Sequence, residues 1–257
     1  MKIGQRQLSE YTEAAFQPQH YRALYNMWRR YPRFWENAWR YFSGRGSYPY
    51  DIQVKTPTGP VTIRLHSYHD ILTVNEIFCR EDYPAGEDLA AVLDLGSNIG
   101  VSALFFLTRN RHSRCILYEP DPRNIARLRA NLAGYEDRYT LVACAVSDEA
   151  GQLAFGIEPS GRYGGIGVQT GEVITVPCVH INEALRAAVE QLGTIDILKI
   201  DTEGVEVRTV KAIAADLLPR VRRIFLEANP PEELHPTVFH NRQYGSVRQL
   251  TQQAARA

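Results

Sequence analysis

Three groups of residues in this 257-residue chain have the types and spacing to do chemistry. The first is Asp94-Leu95-Gly96-Ser97-Asn98-Ile99-Gly100, which follows an apolar run and precedes a helical pattern. Gly96 and Gly100 allow a tight turn and a close backbone approach to a ligand. The free N–H groups that open the next helix favour an anionic group. A plain strand-to-helix turn has the same look. The turn is not G-x-G-x-x-G, because Asn98 holds the second glycine position and Val101 the third. The second group is Glu119-Pro120-Asp121-Pro122, about 20 residues further on. Glu119 can accept hydrogen bonds from ribose hydroxyls, and Asp121 suits the cap of a helix that Pro122 opens. The third group is Asp201, Glu203 and Glu206, followed by Glu227 and Asn229. Asp201 is expected to point into a cleft. Glu203 either caps a helix or faces a substrate, and Glu206 is read as structural. If Glu227 and Asn229 lie beside Asp201, the three form an oxygen-rich cluster. Such a cluster binds Mg²⁺, polarises a hydroxyl, or is a hydrogen-bonded network without metal. Small apolar groups at Ala145 and Val146 could flank an adenine ring.

These groups fall at the ends of short apolar runs. The expected strands are 91–95, 115–118, 139–145, 195–200 and 223–226. Helical patterns alternate with them at 101–108, 123–132, 181–191 and 205–217. Such alternation predicts an α/β fold, a mostly parallel sheet with helices on both faces. Ligands then gather at the carboxyl ends of the strands, near the switch in strand order.

Upstream, residues 1 to 48 are aromatic and basic. Tyr21, Tyr25, Trp28, Tyr31, Phe34, Trp35, Trp39, Tyr41 and Phe42 recur at roughly helical spacing, with Arg22, Arg29, Arg30, Arg33 and Arg40 between them. Pro32 should break or restart a helix. The zone reads either as a helical cap packed on the main domain or a second subunit, or as a surface for an anionic or lipid-linked substrate at a membrane. Residues 51–55 and 61–65 alternate with period two around Thr56-Pro57-Thr58-Gly59, which predicts a β-hairpin. The expected division is therefore an N-terminal extension over 1–48 and a main domain over 49–257 that includes this hairpin.

Bulk composition excludes some classes. The chain has 29 basic and 29 acidic residues, so whole-molecule attraction to nucleic acid is not expected. Cys79, Cys115, Cys144 and Cys178 are scattered without metal-ligand spacing and read as reduced core thiols, which suits the cytoplasm. No run is long enough for a membrane-spanning helix, and the opening residues Met1 to Arg6 are not expected to be a secretory signal.

Taken in order, Val92 to Gly100, Glu119 to Pro122 with Asn131, Ala145 to Asp148, Leu198 to Glu206, and Phe225 to Glu227 resemble the FkbM family of S-adenosylmethionine-dependent methyltransferases, within the Rossmann-like class I group. The resemblance covers roughly residues 90 to 230. It implies methyl transfer to oxygen, commonly a hydroxyl of a sugar, polysaccharide precursor or natural product. It also implies that Asp94, Gly96, Ser97, Asn98, Gly100, Glu119 and Pro120, with Ala145 and Val146, surround the cofactor. The class closes its sheet with two further strands. Here only 238–247 offers part of that hairpin and the last residues look helical, so the sheet is expected to be abbreviated or the chain truncated.

For such a reaction the protein must align the groups and help a hydroxyl lose its proton. Asp201 is the expected base or metal ligand, with Glu227 assisting. His69 and His180 are rival bases, although His180 precedes a helix and reads as a cap. Gly161 to Gly167 is either a substrate lid carrying Arg162 and Tyr163, with Glu203 also near the acceptor, or a hairpin tip. A nicotinamide-dependent oxidoreductase and a non-catalytic binding module are the alternative functions. The acceptor is expected to be a small molecule or glycan, and a homo-oligomer is open.

Overall fold

The structure, a computed structural model, describes residues 2–3, 6–7, 18–157, 164–166, 172–202 and 204–253. The chain divides into two compact units, Met1–Gly86 and Glu87–Ala257.

In the first unit, strands β1 (Lys2–Ile3) and β2 (Arg6–Gln7) pair antiparallel. Helix α1 spans Pro18–Arg30 and α2 spans Phe34–Ser43, so the chain breaks at Pro32 as its ring requires. Strands β3 (Tyr50–Thr56) and β4 (Gly59–Leu65) form the expected hairpin, with Ile52, Val54, Ile63 and Leu65 on its buried face. Helix α3 (Tyr68–Val74) starts with a capping box of Ser67 and Asp70 and continues as one π-helical stretch, Asn75–Arg80. The division at Gly86 differs from the boundary read at residue 48. The hairpin and α3 have their contacts with the N-terminal helices: Asn26 Nδ2 donates to Cys79 O at 2.7 Å, and Tyr50 Oη to Asn37 Oδ1 at 2.7 Å.

The second unit follows the strand–helix alternation. Its elements are β5 (Ala91–Leu95), α4 (Val101–Leu107), β6 (Arg114–Tyr118), α5 (Pro122–Asn131), β7 (Tyr139–Val142), β8 (Ala145–Ser147), β9 (Gly151–Ile157), β10 (Gly164–Ile166), β11 (Glu172–His180), α6 (Ile181–Leu192), β12 (Ile195–Ile200), α7 (Glu206–Lys211), β13 (Val221–Leu226), β14 (Phe239–Tyr244) and β15 (Val247–Gln252). Seven strands form the main sheet in the order β14-β15-β13-β12-β5-β6-β7. The five from β13 to β7 are parallel, and β15 runs antiparallel to both its neighbours. This is the mostly parallel sheet that the strand–helix alternation predicts, closed at one edge by an antiparallel hairpin. Strand order reverses between β5 and β12, so the ligand-binding crevice belongs above their carboxyl ends. Both strands are buried along their whole length, which is why they read as near-continuous apolar runs.

Three expectations need correction. The sheet is not abbreviated: β14 and β15 supply the closing hairpin, and residues 247–252 are strand, not helix. Phe239, Val247 and Leu250 anchor it in the core, while its other positions are mainly polar. The third strand is split. After Val142 the chain breaks at Ala143-Cys144, and β8 joins a separate four-stranded sheet, β10-β9-β11-β8. The helix expected over 205–217 ends at Lys211, where His235 Nε2 lies 2.8 Å from Val210 O.

Candidate active site

Asp94, the penultimate residue of β5, is fully buried. Its register partner on β12 is Lys199, so both side chains lie on one face of the sheet. Lys199 Nζ is 3.1 Å from Asp94 Oδ1 and 3.3 Å from Asp201 Oδ2, and it donates to Gly96 O at 3.1 Å. Ser102 Oγ donates to Asp94 Oδ2 at 2.6 Å. Burial works against the Lys199 charge, but the Asp94 and Asp201 carboxylates overcome it and hold the ammonium's pKa above the ordinary lysine value. One buried cation thus fixes a strand end, the glycine turn and the expected base. The sequence reading assigned Lys199 no role.

The turn itself needs its glycines. Gly96 has φ 78° and Gly100 φ 86°, and Asn98 takes φ 48° between them. A Cβ on Gly96 would overlap the carbonyl oxygen of Asp201, so backbone passes against backbone here. Gly96 N and Ser97 N donate to Tyr118 O, and Ser97 Oγ donates to Asp94 O at 3.0 Å. Ser97 is therefore committed to holding the turn. Asn131 Nδ2 donates to Ile99 O at 2.9 Å and supports the turn from α5.

Glu119 follows β6 and is buried. Its Oε2 accepts from Asn98 N at 2.8 Å and its Oε1 from Asp121 N at 2.9 Å. Asn124 adds a side-chain hydrogen bond. An ionised carboxylate has about four acceptor positions, so capacity remains for a ligand hydroxyl. Burial raises the Glu119 pKa to about 7, against the lowering effect of those N–H donors. Asp121 caps α5, accepting from Arg123 N at 2.8 Å, with Pro122 in the first turn. Pro120, between the two carboxylates, is partly buried.

Asp201 and Glu227 extend β12 and β13 by one residue each. Asp201 N donates to Leu95 O at 3.1 Å and Glu227 N to Ile200 O at 3.2 Å. Asp201 is partly exposed and ion-paired to Lys199. Glu227 is exposed, and its Oε1 accepts from Ser246 Oγ at 3.4 Å. Asn229 Oδ1 accepts from Arg248 at 3.5 Å. This donor set does not fit a divalent ion. Asp201 already faces an ammonium, and Asn229 a guanidinium. Among the described residues no group of three His, Cys, Asp or Glu could hold a metal. Glu206 turns back on its own helix start, accepting from Thr202 N and Gly204 N at 3.0 Å, which is the structural role expected of it.

Alternation along β8 sends Ala145 into a small core with Phe155, Val176 and Cys178, and Val146 into the main core. Both side chains are thus taken up in packing. His180 caps α6, its Nδ1 accepting from Asn182 N at 3.1 Å. His69 belongs to α3 in the first unit, its ring 5.8 Å from that of Tyr68. Glu203, Arg162 and Tyr163 lie outside the described residues.

Residues 94–253 match the methyltransferase FkbM domain. The 31-O-demethyl-FK506 methyltransferase FkbM of Streptomyces tacrolimicus is 26% identical over 212 residues, covering 68% of this chain and 81% of that protein. The 2-O-methyltransferase NoeI of Sinorhizobium fredii is 41% identical over 64 residues, which span 25% of this chain and 26% of that protein. Among solved structures, methyltransferase FkbM from Methylobacillus flagellatus KT aligns with a TM-score of 0.44 at 13% identity, covering 72% of this chain and 54% of that one. The matched family domain contains the glycine turn, Glu119, Lys199, Asp201 and Glu227, and it spans more than half of the sequence. The protein therefore belongs to the FkbM methyltransferase family.

Proposed function

We propose that this methyltransferase uses S-adenosylmethionine to methylate a hydroxyl of a sugar, polysaccharide precursor or natural product. One observation carries the cofactor assignment. A buried carboxylate, Glu119, is aimed at the glycine turn and tied to it through Asn98 N, with acceptor capacity left over for a ribose hydroxyl. The Gly96–Gly100 backbone would lie against the methionine portion. When bound, S-adenosylmethionine supplies a methyl group already activated on a sulfonium.

The chain's own part is alignment and proton removal. Asp201 is the partly exposed carboxylate at the switch point, so it accepts the hydroxyl proton as the oxygen takes the methyl. Lys199 holds Asp201 in place from below and counters the charge of Asp94. Glu227, one strand over, is placed to orient the acceptor. Two relatives are named for O-methylation, which supports an oxygen acceptor here. All four cysteines are buried free thiols, which supports a cytoplasmic setting.

The test is transfer of labelled methyl from S-adenosylmethionine to a panel of glycans, lipid-linked sugars and polyketide alcohols. Ether formation on at least one acceptor, lost on Asp201→Asn, is the expected result. Labelling of nitrogen acceptors alone would overturn the assignment.

A further inference from the structure

Helix α1 is apolar on two faces. Ala23 and Met27 turn inward and are buried, whereas Tyr21, Leu24, Tyr25 and Trp28 turn outward at i, i+3, i+4, i+7 spacing and are exposed. Helix α2 carries Trp35, Trp39 and Phe42 at the same kind of spacing. The two outward stripes enclose an open groove of about 660 Å³ with almost no polar lining. Trp35 is 83% exposed, Trp28 65% and Trp39 54%, and these are the three tryptophans of the chain. A contiguous exposed aromatic surface of this kind marks an interaction site.

Charge says what kind. Between residues 18 and 47 stand Arg22, Arg29, Arg30, Arg33, Arg40 and Arg45, against one carboxylate, Glu36. Arg22 and Arg30 pair with Glu81, and Arg33 and Arg40 with Glu36, so the positive charge this segment offers outward is that of Arg29 and Arg45, both exposed. Arg29 is exposed and lies 5.6 Å over the Tyr25 ring at the groove's flank. Tryptophan and tyrosine suit the headgroup boundary of a bilayer, and arginine suits its anionic phosphates. No described helix is long and apolar enough to cross a membrane, so the contact would be peripheral.

We propose that the aromatic groove of α1 and α2 docks on an anionic lipid bilayer, with Trp28, Trp35 and Trp39 at the headgroup level and Arg29 on the phosphates. Because all three tryptophans sit on this face, intrinsic fluorescence reports its contact without a label.

The experiment adds vesicles of phosphatidylcholine, with or without phosphatidylglycerol, to the full chain and follows tryptophan emission and co-sedimentation. The expected result is a shift to shorter wavelength and sedimentation with the anionic vesicles, both weakened by salt. Arg29→Gln should lower partitioning about fivefold, and Trp35→Ala by about tenfold or more. Circular dichroism checks the fold of each variant. Should Trp35→Ala unfold, the salt series on the unaltered chain and Arg29→Gln still decide. Absence of binding overturns the proposal, as does equal binding to neutral vesicles. A concentration-dependent dimer that shifts the emission without lipid overturns it too, and assigns the face to a second copy.

Discussion

The ammonium of Lys199 stands 3.1 Å from Oδ1 of Asp94, joining register partners on the two strands where the sheet order reverses. Both residues are buried. Removing one partner of a buried pair leaves an uncompensated charge, at a cost of about 3–5 kcal/mol. Lys199→Met should therefore lower stability by about that much in urea titrations. The double variant Asp94→Asn/Lys199→Met should recover much of the loss, because it removes both charges. If the two single losses simply add, the residues are not coupled as described.

Gly96→Ala is expected to abolish cofactor binding while Gly134→Ala leaves it intact. At Gly96 the new methyl meets the Asp201 carbonyl, so either the turn or β12 must move. Gly134 also has a positive φ, 90°, but a Cβ there meets nothing within 4 Å. The pair thus separates backbone strain from loss of the close approach. Calorimetric titration with S-adenosylmethionine is the measurement, and equal affinities for the two variants would refute the role of Gly96.

What the sequence showed and what it hid follow from the same physics. Strands β5 and β12 were legible to the residue because both are buried on both faces and flanked by turn signals. Glu119 and Asp201 were legible because they end apolar runs. Lys199 was not, since a lysine inside such a run reads as an interruption until the register sets it opposite Asp94. The break between β7 and β8 was hidden because Val142-Ala143-Cys144-Ala145 is apolar throughout. The closing hairpin was half hidden. Its turn, Gly245-Ser246, is visible, but Arg248, Gln249 and Gln252 give a helical look to a strand held by Val247 and Leu250. The side-chain partners of Asp201, Glu227 and Asn229 were hidden too: strand ends fix backbone neighbours, not the partners their side chains select.

Glu119 should give the cofactor-free protein and its complex opposite responses to pH. Burial raises its pKa from the ordinary 4.5 to about 7 in the folded chain. The folded state then binds more protons than the unfolded one between those values. Its contribution to stability is present below the unfolded value and is lost as pH rises through about 7. Ribose hydroxyls need the ionised form, so S-adenosylmethionine affinity should fall about tenfold per pH unit below about 7. Thermal melts with and without cofactor from pH 5.5 to 8.5 read both trends. Glu119→Gln should flatten both, and a slope that survives the substitution belongs to another group.

Asp201→Asn should cut turnover while leaving cofactor affinity within a fewfold of the original, and chelators should leave turnover unchanged. The amide keeps the shape of the side chain but cannot take a proton, and loss of one positioned base typically costs about 10²–10⁴ in rate. Cofactor contacts rest on Glu119 and the glycine turn, which Asp201 meets through its backbone carbonyl beside Gly96, its carboxylate reaching the turn only by way of Lys199, which keeps its bonds to Asp94 and Gly96. The chelator result follows from the ion pair. A carboxylate 3.3 Å from a buried ammonium is a poor ligand for a divalent cation, and Glu227 and Asn229 are engaged by Ser246 and Arg248. Single-turnover rates with and without EDTA separate the two claims. A chelator-sensitive rate restored by Mg²⁺ would return Asp201 to the role of metal ligand, and would require Lys199 to release it.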